Sequence, residues 1–387
     1  MTLPIRTDYL PFGRPNFSED EIAAVVRIMR SGWIGQGNET HAFERELAQY
    51  TGASDVVTVN SCTSALFLAL LVAGTQPGDE VIVPSFTWCS TANAALYAGA
   101  TPILCDIDPA TLNVTPQIVA PLVTSRTRAV IVVHMAGLTV DVGALRRVLP
   151  AHVAIIEDAA HALGSRFSDG MRVGATGNLT CFSFYANKNV STAEGGAVAV
   201  TDAAQADRLR SLRLHALPAD AWKRFTNPQV VISAEIEELG YKMNYTDLQA
   251  SIGRVQLARL PLMQELRLQV AKTYAARFAG SPALSLQREV LSADHARHLF
   301  LVLLDEAHLA ARSLTRDAVL RELRARNIGA TIHYHPLHRM RFYARPGAGA
   351  LPVTDDIARR VLTLPISASM STEDTDYVAD HLLDILK

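Results

Sequence analysis

Residues 55–107 read DVVTVNSCTSALFLALLVAGTQPGDEVIVPSFTWCSTANAALYAGATPILCDI, and two kinds of segment alternate within them. The short segments DVVTVN, EVIVPS and PILCDI are rich in β-branched residues and apolar almost throughout, as in strands that are buried on both faces. The longer segments TSALFLALLVAG and TWCSTANAALYAG have the length and the alanine and leucine content of helices. Strands that alternate with helices predict an α/β fold on a largely parallel sheet.

The same alternation extends in both directions from this stretch. AVIVVH, VAIIED, CFSFY and GAVAV are further predicted strands, with a helix near Val142 to Val148. Two helices precede the first strand. One begins at a capping box formed by Ser18 and Glu21, and the other runs from Glu39 to Tyr50. The sequence therefore predicts one large sheet of about seven strands.

The pattern of apolar and polar residues changes near Thr246. TDLQASIGRVQLARL is amphipathic and continues past Pro261, which predicts a long helix that is bent at the proline. RHLFLVLLD and TIHYHP are predicted strands, TRDAVLRELRARNIG a helix, and 343–353 a loop rich in glycine and proline. We predict three parts: an N-terminal arm (1–16), a large domain (17–255) and a small C-terminal α/β domain (256–387).

The bulk composition excludes several classes of partner. The 387 residues carry a net charge of −2, which gives no electrostatic basis for binding nucleic acid or an anionic membrane. No apolar run is long enough to span a bilayer, and the first residues do not resemble a signal peptide. The cysteines show no C-x-x-C spacing, as expected of reduced thiols in a cytoplasmic protein. They are Cys62, Cys89, Cys105 and Cys181.

Polar side chains follow several predicted strands, at the edge where ligands bind in open α/β sheets. Lys188 comes directly after CFSFY, and Asp158 ends VAIIED. An exposed lysine has a pKa of about 10.4, but a desolvated one becomes a nucleophile that forms Schiff bases. Asp158 either caps a helix over AAHALG or pairs with a protonated ring nitrogen, as in pyridoxal phosphate enzymes.

Three more features lie at the same edge. NSCTSALFLAL places hydroxyl residues at a helix N-terminus, where free amide groups attract a phosphate, although they can also be simple caps. Trp88 can stack on a flat heteroaromatic ring or lie in the core. His161 and Ser183 can bind a cofactor or serve only the fold. One ligand, pyridoxal 5′-phosphate, needs an amine, a carboxylate, an aromatic ring and a phosphate site together.

Five motifs, in this order, resemble the DegT/DnrJ/StrS-type sugar-nucleotide aminotransferases, which are pyridoxal phosphate enzymes of fold type I. The motifs are NSCTSALFLAL, GDEVIVPSFTW, IEDAAHALGS, FSFYANKN followed by AEGG, and GYKMNYTDLQASIG. The resemblance spans residues from about 8 to 387. It implies a large, mostly parallel seven-stranded domain and a small C-terminal α/β domain.

The resemblance also implies a role for each matching residue. Lys188 would hold the cofactor aldehyde and act as the acid and base of the reaction, and Asp158 would pair with the pyridinium nitrogen. Trp88 would stack on the ring, and His161 would lie near its phenolic oxygen. The cofactor phosphate would be held by Cys62, Thr63 and Ser183. Asn244 would reach the cofactor phosphate of a neighbouring subunit, which implies a homodimer with shared active sites.

The expected substrates are a keto sugar nucleotide, linked to UDP or dTDP, and L-glutamate as the amino donor. SGWIGQG (31–37) and HYHPLH (333–338) resemble the segments that contact the sugar nucleotide. The predicted substrate residues are Trp33, Ile34, Tyr185, His333 and His335. The family's 3-dehydrases have histidine in place of the lysine, so Lys188 favours transamination. STAEGG after the lysine resembles members that act on 4-keto sugars; those acting on 3-keto sugars tend to have GDGG, and a 3-keto substrate is the alternative.

Two interpretations from other classes stay open at this point. His333, His335 and His338 form H-x-H-x-x-H, and neutral imidazoles bind zinc or iron, which would suit a metal-dependent hydrolase. The other alternative is a protein that binds pyridoxal phosphate but regulates rather than catalyses. No basic patch or DNA-binding motif supports it.

Overall fold

The computed structural model describes residues 3–217, 236–292, 294–344 and 349–387. A seven-stranded sheet forms its larger layer, with the spatial order β1-β7-β6-β5-β4-β2-β3. Neighbouring strands from β6 to β3 are parallel, and only the pairs of β7 with β6 and with β1 are antiparallel. The strands are β1 (Asp55–Val59), β2 (Glu80–Pro84), β3 (Thr101–Cys105), β4 (Thr127–Val133), β5 (Ala154–Asp158), β6 (Leu179–Ser183) and β7 (Gly196–Val200). The predicted α/β fold and largely parallel sheet are confirmed.

Helices cover both faces of this sheet, because successive side chains of a buried strand point to opposite faces and both sets here are apolar. In β2, Ile82 belongs to the core on one face, while Val81 and Val83 belong to the core on the other. The helices up to residue 217 are α1 (Glu19–Ser31), α2 (Asn38–Thr51), α3 (Cys62–Val72), α4 (Cys89–Tyr97), α5 (Pro116–Val119), α6 (Val142–Val148) and α7 (Ala203–Leu212).

A smaller antiparallel sheet, in the order β10-β9-β8, lies in the C-terminal part of the chain. The helices and strands of this part of the chain are α8 (Asp247–Phe278), β8 (Leu284–Leu286), β9 (Phe300–Leu304), α9 (Glu306–Ala310), α10 (Arg316–Ala325), α11 (Pro352–Arg360), β10 (Val361–Leu364) and α12 (Thr372–Leu386). A shared apolar cluster joins the two sheets: Val133 of β4 and Phe86, just after β2, belong to the same cluster as Leu301 of β9 and Leu299, just before it.

Three details of the C-terminal half differ from the sequence predictions. TIHYHP is not a strand: its only ladder contact is a single bridge from Thr331 to Thr363. The predicted loop over 343–353 ends early, because Pro352 begins α11, a position that suits a residue without an amide hydrogen. Residues 345–348 of that loop lie outside the described part of the chain. The strands β8 and β10 were not predicted, because each is only three or four residues long.

Helix α8 is continuous across Pro261, so this proline does not end or divide it. The predicted boundary between residues 255 and 256 thus falls inside a helix, and the division into domains stays a prediction.

The first residue of α8 fixes a distant segment of the chain. The Asp247 carboxylate, which is 3% exposed, accepts hydrogen bonds from the amides of Gly37 (2.8 Å) and Thr40 (2.9 Å) and from the Thr40 hydroxyl (2.7 Å). In return, the Asp247 amide donates to the Gly35 carbonyl. Asp247 therefore caps the beginning of α2 and holds the backbone of 35–40.

None of the described helices is both long enough and apolar enough to cross a membrane.

Candidate active site

A cleft of about 570 Å³ opens at the carboxyl ends of the large-sheet strands and is closed on one side by the C-terminal part of the chain. It brings together most of the residues that the sequence predicted to act. The predicted residues that line it are Cys62, Thr63, Trp88, Asp158, His161, Ser183, Tyr185, Lys188 and His333. Its other side chains include Thr87, Asn187, His298 and Tyr334, which the sequence did not single out.

Asp158 ends β5 and is 5% exposed. Its Oδ2 atom accepts a hydrogen bond from the Thr91 hydroxyl at 2.9 Å, and its Oδ1 atom accepts one from the Ala160 amide at 3.2 Å. No helix follows, since 160–163 form turns, so Asp158 is not a helix cap. Burial raises the pKa of the Asp158 carboxyl above its usual value, even though these hydrogen bonds and the charge of Lys188 oppose the shift.

Lys188 lies in the turn after β6, with its amine inside the cleft. Burial lowers its pKa to about 8, against the opposing effects of Cys62 and Asp158. A lysine with this pKa is partly neutral near pH 7.5, and the neutral amine is the nucleophilic form. The environment of Lys188 therefore suits an amine that attacks a carbonyl carbon.

The first turn of α3 offers two amide hydrogens to the cleft. The cap at Ser61 uses the amides of Ser64 and Ala65, whereas those of Cys62 and Thr63 have no acceptor within the described part of the chain. Gly196, at the start of β7, lets the backbone at Ser61 approach closely. A Cβ atom at position 196 would lie 2.5 Å from the Ser61 carbonyl carbon, so a larger residue would displace this turn. Together with the Ser183 side chain at the end of β6, this helix N-terminus suits a phosphate.

Trp88 is not a core residue. It precedes α4, and 59% of its surface is exposed in the cleft wall. An indole ring exposed beside a buried carboxylate and an amine is available to stack on a flat ring. Thr91, one turn further along α4, holds Asp158. The hydroxyl-rich SFTWCST was the only sequence signal for Thr91.

The C-terminal part of the chain supplies the opposite side of the cleft through His298 and Tyr334, and Tyr334 meets His161 from the turn after β5. His161 accepts a hydrogen bond from the Ala136 amide at Nδ1, so its Nε2 carries the hydrogen and donates to the Tyr334 hydroxyl at 3.0 Å. His298 Nε2 lies 3.2 Å from Lys188 Nζ. Burial holds the pKa of His161 and of His298 well below the usual value, so both imidazoles are neutral.

Four predicted residues do not line this cleft. Asn244 accepts a hydrogen bond from Lys242 Nζ within its own chain. Trp33 and Ile34, in the connection from α1 to α2, are 37% and 54% exposed, and His335 is exposed as well. Their assignment to a cofactor or a substrate stays a prediction, and for Asn244 it depends on a second subunit.

The three histidines of H-x-H-x-x-H do not form a metal site. His333 Nδ1 contacts the Thr363 hydroxyl, while His338 contacts Ser85 and Asp355. In the described residues no group of three or more histidine, cysteine or acidic side chains is placed to hold a metal ion. The arrangement gives no support to the alternative of a metal-dependent hydrolase.

The cleft fits pyridoxal phosphate. Its aldehyde would meet the Lys188 amine, and its phosphate would meet the first turn of α3 and Ser183. Its ring would face Trp88. The protonated ring nitrogen would give the buried Asp158 a positive partner in direct contact; among the described residues its carboxylate accepts hydrogen bonds only from the neutral Thr91 hydroxyl and Ala160 amide. These four groups lie in one cavity, which no single motif could have established.

Comparisons with known proteins agree with this fit. Residues 15–383 match the model of the DegT/DnrJ/EryC1/StrS aminotransferase family. The spore coat polysaccharide biosynthesis protein SpsC of Bacillus subtilis is 39% identical and covers 99% of this chain and 98% of its own length. The putative sugar aminotransferase Spr1654 of Streptococcus pneumoniae, solved in its PMP form, is 31% identical, with a TM-score of 0.88 over 97% of this chain and 99% of that one.

A third relative is DesI, solved in the presence of its TDP-sugar product. It is 30% identical, with a TM-score of 0.87 over 99% of this chain and 94% of that one. A family match over almost the whole length, with a cleft that carries the expected amine and carboxylate, leads to one conclusion. The chain belongs to the DegT/DnrJ/EryC1/StrS aminotransferase family.

Proposed function

We propose that this aminotransferase moves the amino group of L-glutamate to the 4-keto group of a deoxy sugar linked to UDP or dTDP, with pyridoxal phosphate as cofactor. The observation that carries the proposal is the pairing of an amine of lowered pKa, Lys188, with a buried carboxylate, Asp158, in one cleft. A sugar nucleotide as acceptor is supported by the TDP-sugar product of DesI. The 4-keto position is supported by STAEGG after the lysine.

Lys188 and Asp158 have different roles in the proposed reaction. When bound, pyridoxal phosphate makes the Cα hydrogen of the amino donor acidic. Lys188 Nζ accepts that proton as a neutral amine and returns it as an ammonium on the cofactor side. Asp158 keeps the ring nitrogen protonated by offering its negative charge. The same two residues then serve the acceptor in the reverse direction: its keto carbon receives the nitrogen and a proton, and the keto oxygen leaves as water.

The wall around these groups positions the substrates. Trp88 would hold the cofactor ring by stacking, and the amides of Cys62 and Thr63 would hold its phosphate, so that the ring is positioned relative to the Lys188 amine. Tyr185 is 48% exposed at the mouth of the cleft, where it can contact the sugar nucleotide.

The reaction is tested by incubating the purified protein and pyridoxal phosphate with L-glutamate and a dTDP- or UDP-linked 4-keto-6-deoxy sugar. Mass spectrometry should detect an amino sugar nucleotide together with 2-oxoglutarate. A 3-keto sugar nucleotide and other amino acids, offered in parallel, test the keto position and the donor. A faster reaction with the 3-keto substrate would overturn the first assignment, and the absence of any amino sugar would overturn the proposal.

The proposed active unit is a homodimer in which Asn244 serves the cofactor phosphate of the partner. We expect Lys188→Ala and Asn244→Ala to be strongly impaired as pure proteins. When the two are unfolded and refolded together, mixed dimers contain one site with both native residues, so activity should return. No recovery after mixing, with dimers present by light scattering, would mean that Asn244 acts in its own subunit, and full activity of pure Asn244→Ala would mean that it has no role.

A cytoplasmic location is part of the proposal and is supported by the four cysteines, which are all free thiols. Fractionation of the source cells with an antibody would test it.

A further inference from the structure

The surroundings of the Lys188 amine contain one residue that the proposed reaction has not yet used. His298 lies just before β9, is 3% exposed, and places Nε2 at 3.2 Å from Lys188 Nζ. Within the described residues, this is the only side-chain hydrogen bond of that amine. The contact is made by the atom that takes up and returns the proton.

Two hydrogen bonds fix the segment that carries His298 to other parts of the chain around the cleft. The His298 amide donates to the Ala136 carbonyl at 2.9 Å, which ties it to the chain that follows β4. The Asn189 side chain, next to Lys188, donates to the Ala296 carbonyl at 2.9 Å. His298 and Lys188 are therefore held in register by two bonds that do not involve either functional group.

The two ring nitrogens of His298 are used differently: Nε2 lies beside the lysine amine, whereas Nδ1 does not contact it. In His298, Nδ1 has no partner among the described residues. A neutral ring that carries its hydrogen on Nδ1 presents the lone pair of Nε2 to the lysine.

We propose that His298 is a positioning residue for the acid–base chemistry of Lys188: its Nε2 accepts a hydrogen bond from the lysine Nζ and thereby aims the amine at the reacting carbon. The proton balance is simple. The neutral Lys188 takes one proton from the donor Cα and becomes an ammonium, and one of its three hydrogens stays bonded to His298. The ammonium then returns one proton on the cofactor side, and His298 ends unchanged.

The proposal predicts how Lys188 titrates. The other titratable groups that face the amine are Cys62 on α3, Asp158 on β5, and the imidazoles of His161 and His333. The pKa of His333 is lowered to about 3, chiefly by burial, so that ring is neutral near pH 7, as is the ring of His161. An acceptor bond stabilises the ammonium more than the amine, so its removal should make Lys188 easier to deprotonate.

The first experiment measures this titration in the full-length chain before the cofactor is added. Brief acylation at a series of pH values, followed by mass spectrometry of the peptide that contains Lys188, gives the pH at which half of the amine is reactive. His298→Phe and His298→Leu remove the acceptor and should lower this midpoint by about one pH unit. His298→Gln keeps an acceptor and should leave it close to the wild-type value.

The second experiment measures the half-reaction of the loaded enzyme with L-glutamate in a single turnover, from the change in cofactor absorbance. His298→Phe should slow the limiting rate roughly 100-fold, because the amine is no longer aimed. The glutamate concentration that gives half of this rate should not change, and His298→Gln should recover most of the rate.

His295→Gln is the matched control, a buried histidine of the same segment that does not line the cleft. It should lower thermal stability without moving the titration midpoint. A wild-type midpoint in both acceptor-free variants, or an equal shift in His295→Gln, would overturn the proposal. Both His298→Phe and His298→Leu are measured, so that the test still gives a result if one of these variants does not fold. The inference about His298 rests on the proposed role of Lys188. The titration of Lys188 is measured without substrate, so the inference and the proposed function can fail separately.

Discussion

The two sides of the cleft are built in different ways. On one side, Asp158 and Ser183 stand at the ends of parallel strands, and Lys188 follows in the turn after β6, so a regular sheet places them at one edge. On the other side, His298 and Tyr334 lie in irregular chain beside the small sheet, outside its strands. The sheet side holds the charged groups, whereas the small-sheet side presents neutral rings. We infer that the first side supplies the reactive groups and the second aims them.

The largest effect is expected for Lys188→Ala. Without the amine there is neither covalent attachment of the cofactor nor a base for the Cα proton, so turnover should vanish. The visible absorbance of the loaded enzyme and the borohydride-reducible adduct at position 188 should vanish with it. Lys272→Ala, which removes an exposed lysine of α8, should leave all three unchanged. A coloured, active Lys188→Ala protein would remove this residue from the reaction.

The next effect in size is expected for Asp158→Asn. An amide cannot hold the ring nitrogen protonated by charge, so turnover should fall by roughly three orders of magnitude, the scale of a lost electrostatic stabilisation. The absorbance of the bound cofactor should be retained. Activity within tenfold of wild type would show that the carboxylate is not needed.

Stability gives an independent measure of the same carboxylate. Folding raises the pKa of Asp158, so its contribution to stability is fully present below the unfolded pKa and is lost as the pH rises through the folded one. At pH 7 the cofactor-free Asp158→Asn protein should therefore be at least as stable as wild type. The control is Asp108→Asn: the Thr111 and Ala110 hydrogen bonds keep the pKa of Asp108 low against the opposing effect of burial. This variant should unfold at a lower temperature and keep its activity.

Smaller effects are expected for two substitutions that each delete a hydroxyl, one on each side of the cleft. Thr91→Val deletes a hydroxyl that bonds to the Asp158 carboxylate, and Tyr334→Phe deletes one that bonds to the neutral His161. Hydrogen bonds to charged groups contribute about 1.5–3 kcal/mol and those between neutral groups about 0.5–1.5 kcal/mol. The rate constant for the glutamate half-reaction should therefore fall more in Thr91→Val. A larger loss in Tyr334→Phe would place an essential group on the small-sheet side.

The same contrast explains what the sequence could predict. The sequence could predict that Asp158, Lys188 and the first turn of α3 lie together, because apolar strands are easily recognised and parallel strands share a carboxyl edge. Thr91 and Tyr334 were missed, since a hydroxyl within a helix turn or an irregular segment has no sequence pattern of its own. His298 was also missed, because its position beside Lys188 results from the contact between two sheets, which no local periodicity encodes.

The capping of α2 by Asp247 has a consequence for how such an enzyme can diversify. The bonds to Gly37 and Gly35 use main-chain atoms, and they form whatever side chain stands at position 34. Position 37 is different: a Cβ atom there would lie 2.8 Å from the Asp247 carboxylate, so only glycine fits. Substitution at position 34 can therefore change the side chain that the connection from α1 to α2 presents while its path stays the same. In the proposed function, where this connection contacts the sugar nucleotide, that gives natural selection a place to alter specificity at little cost to the fold.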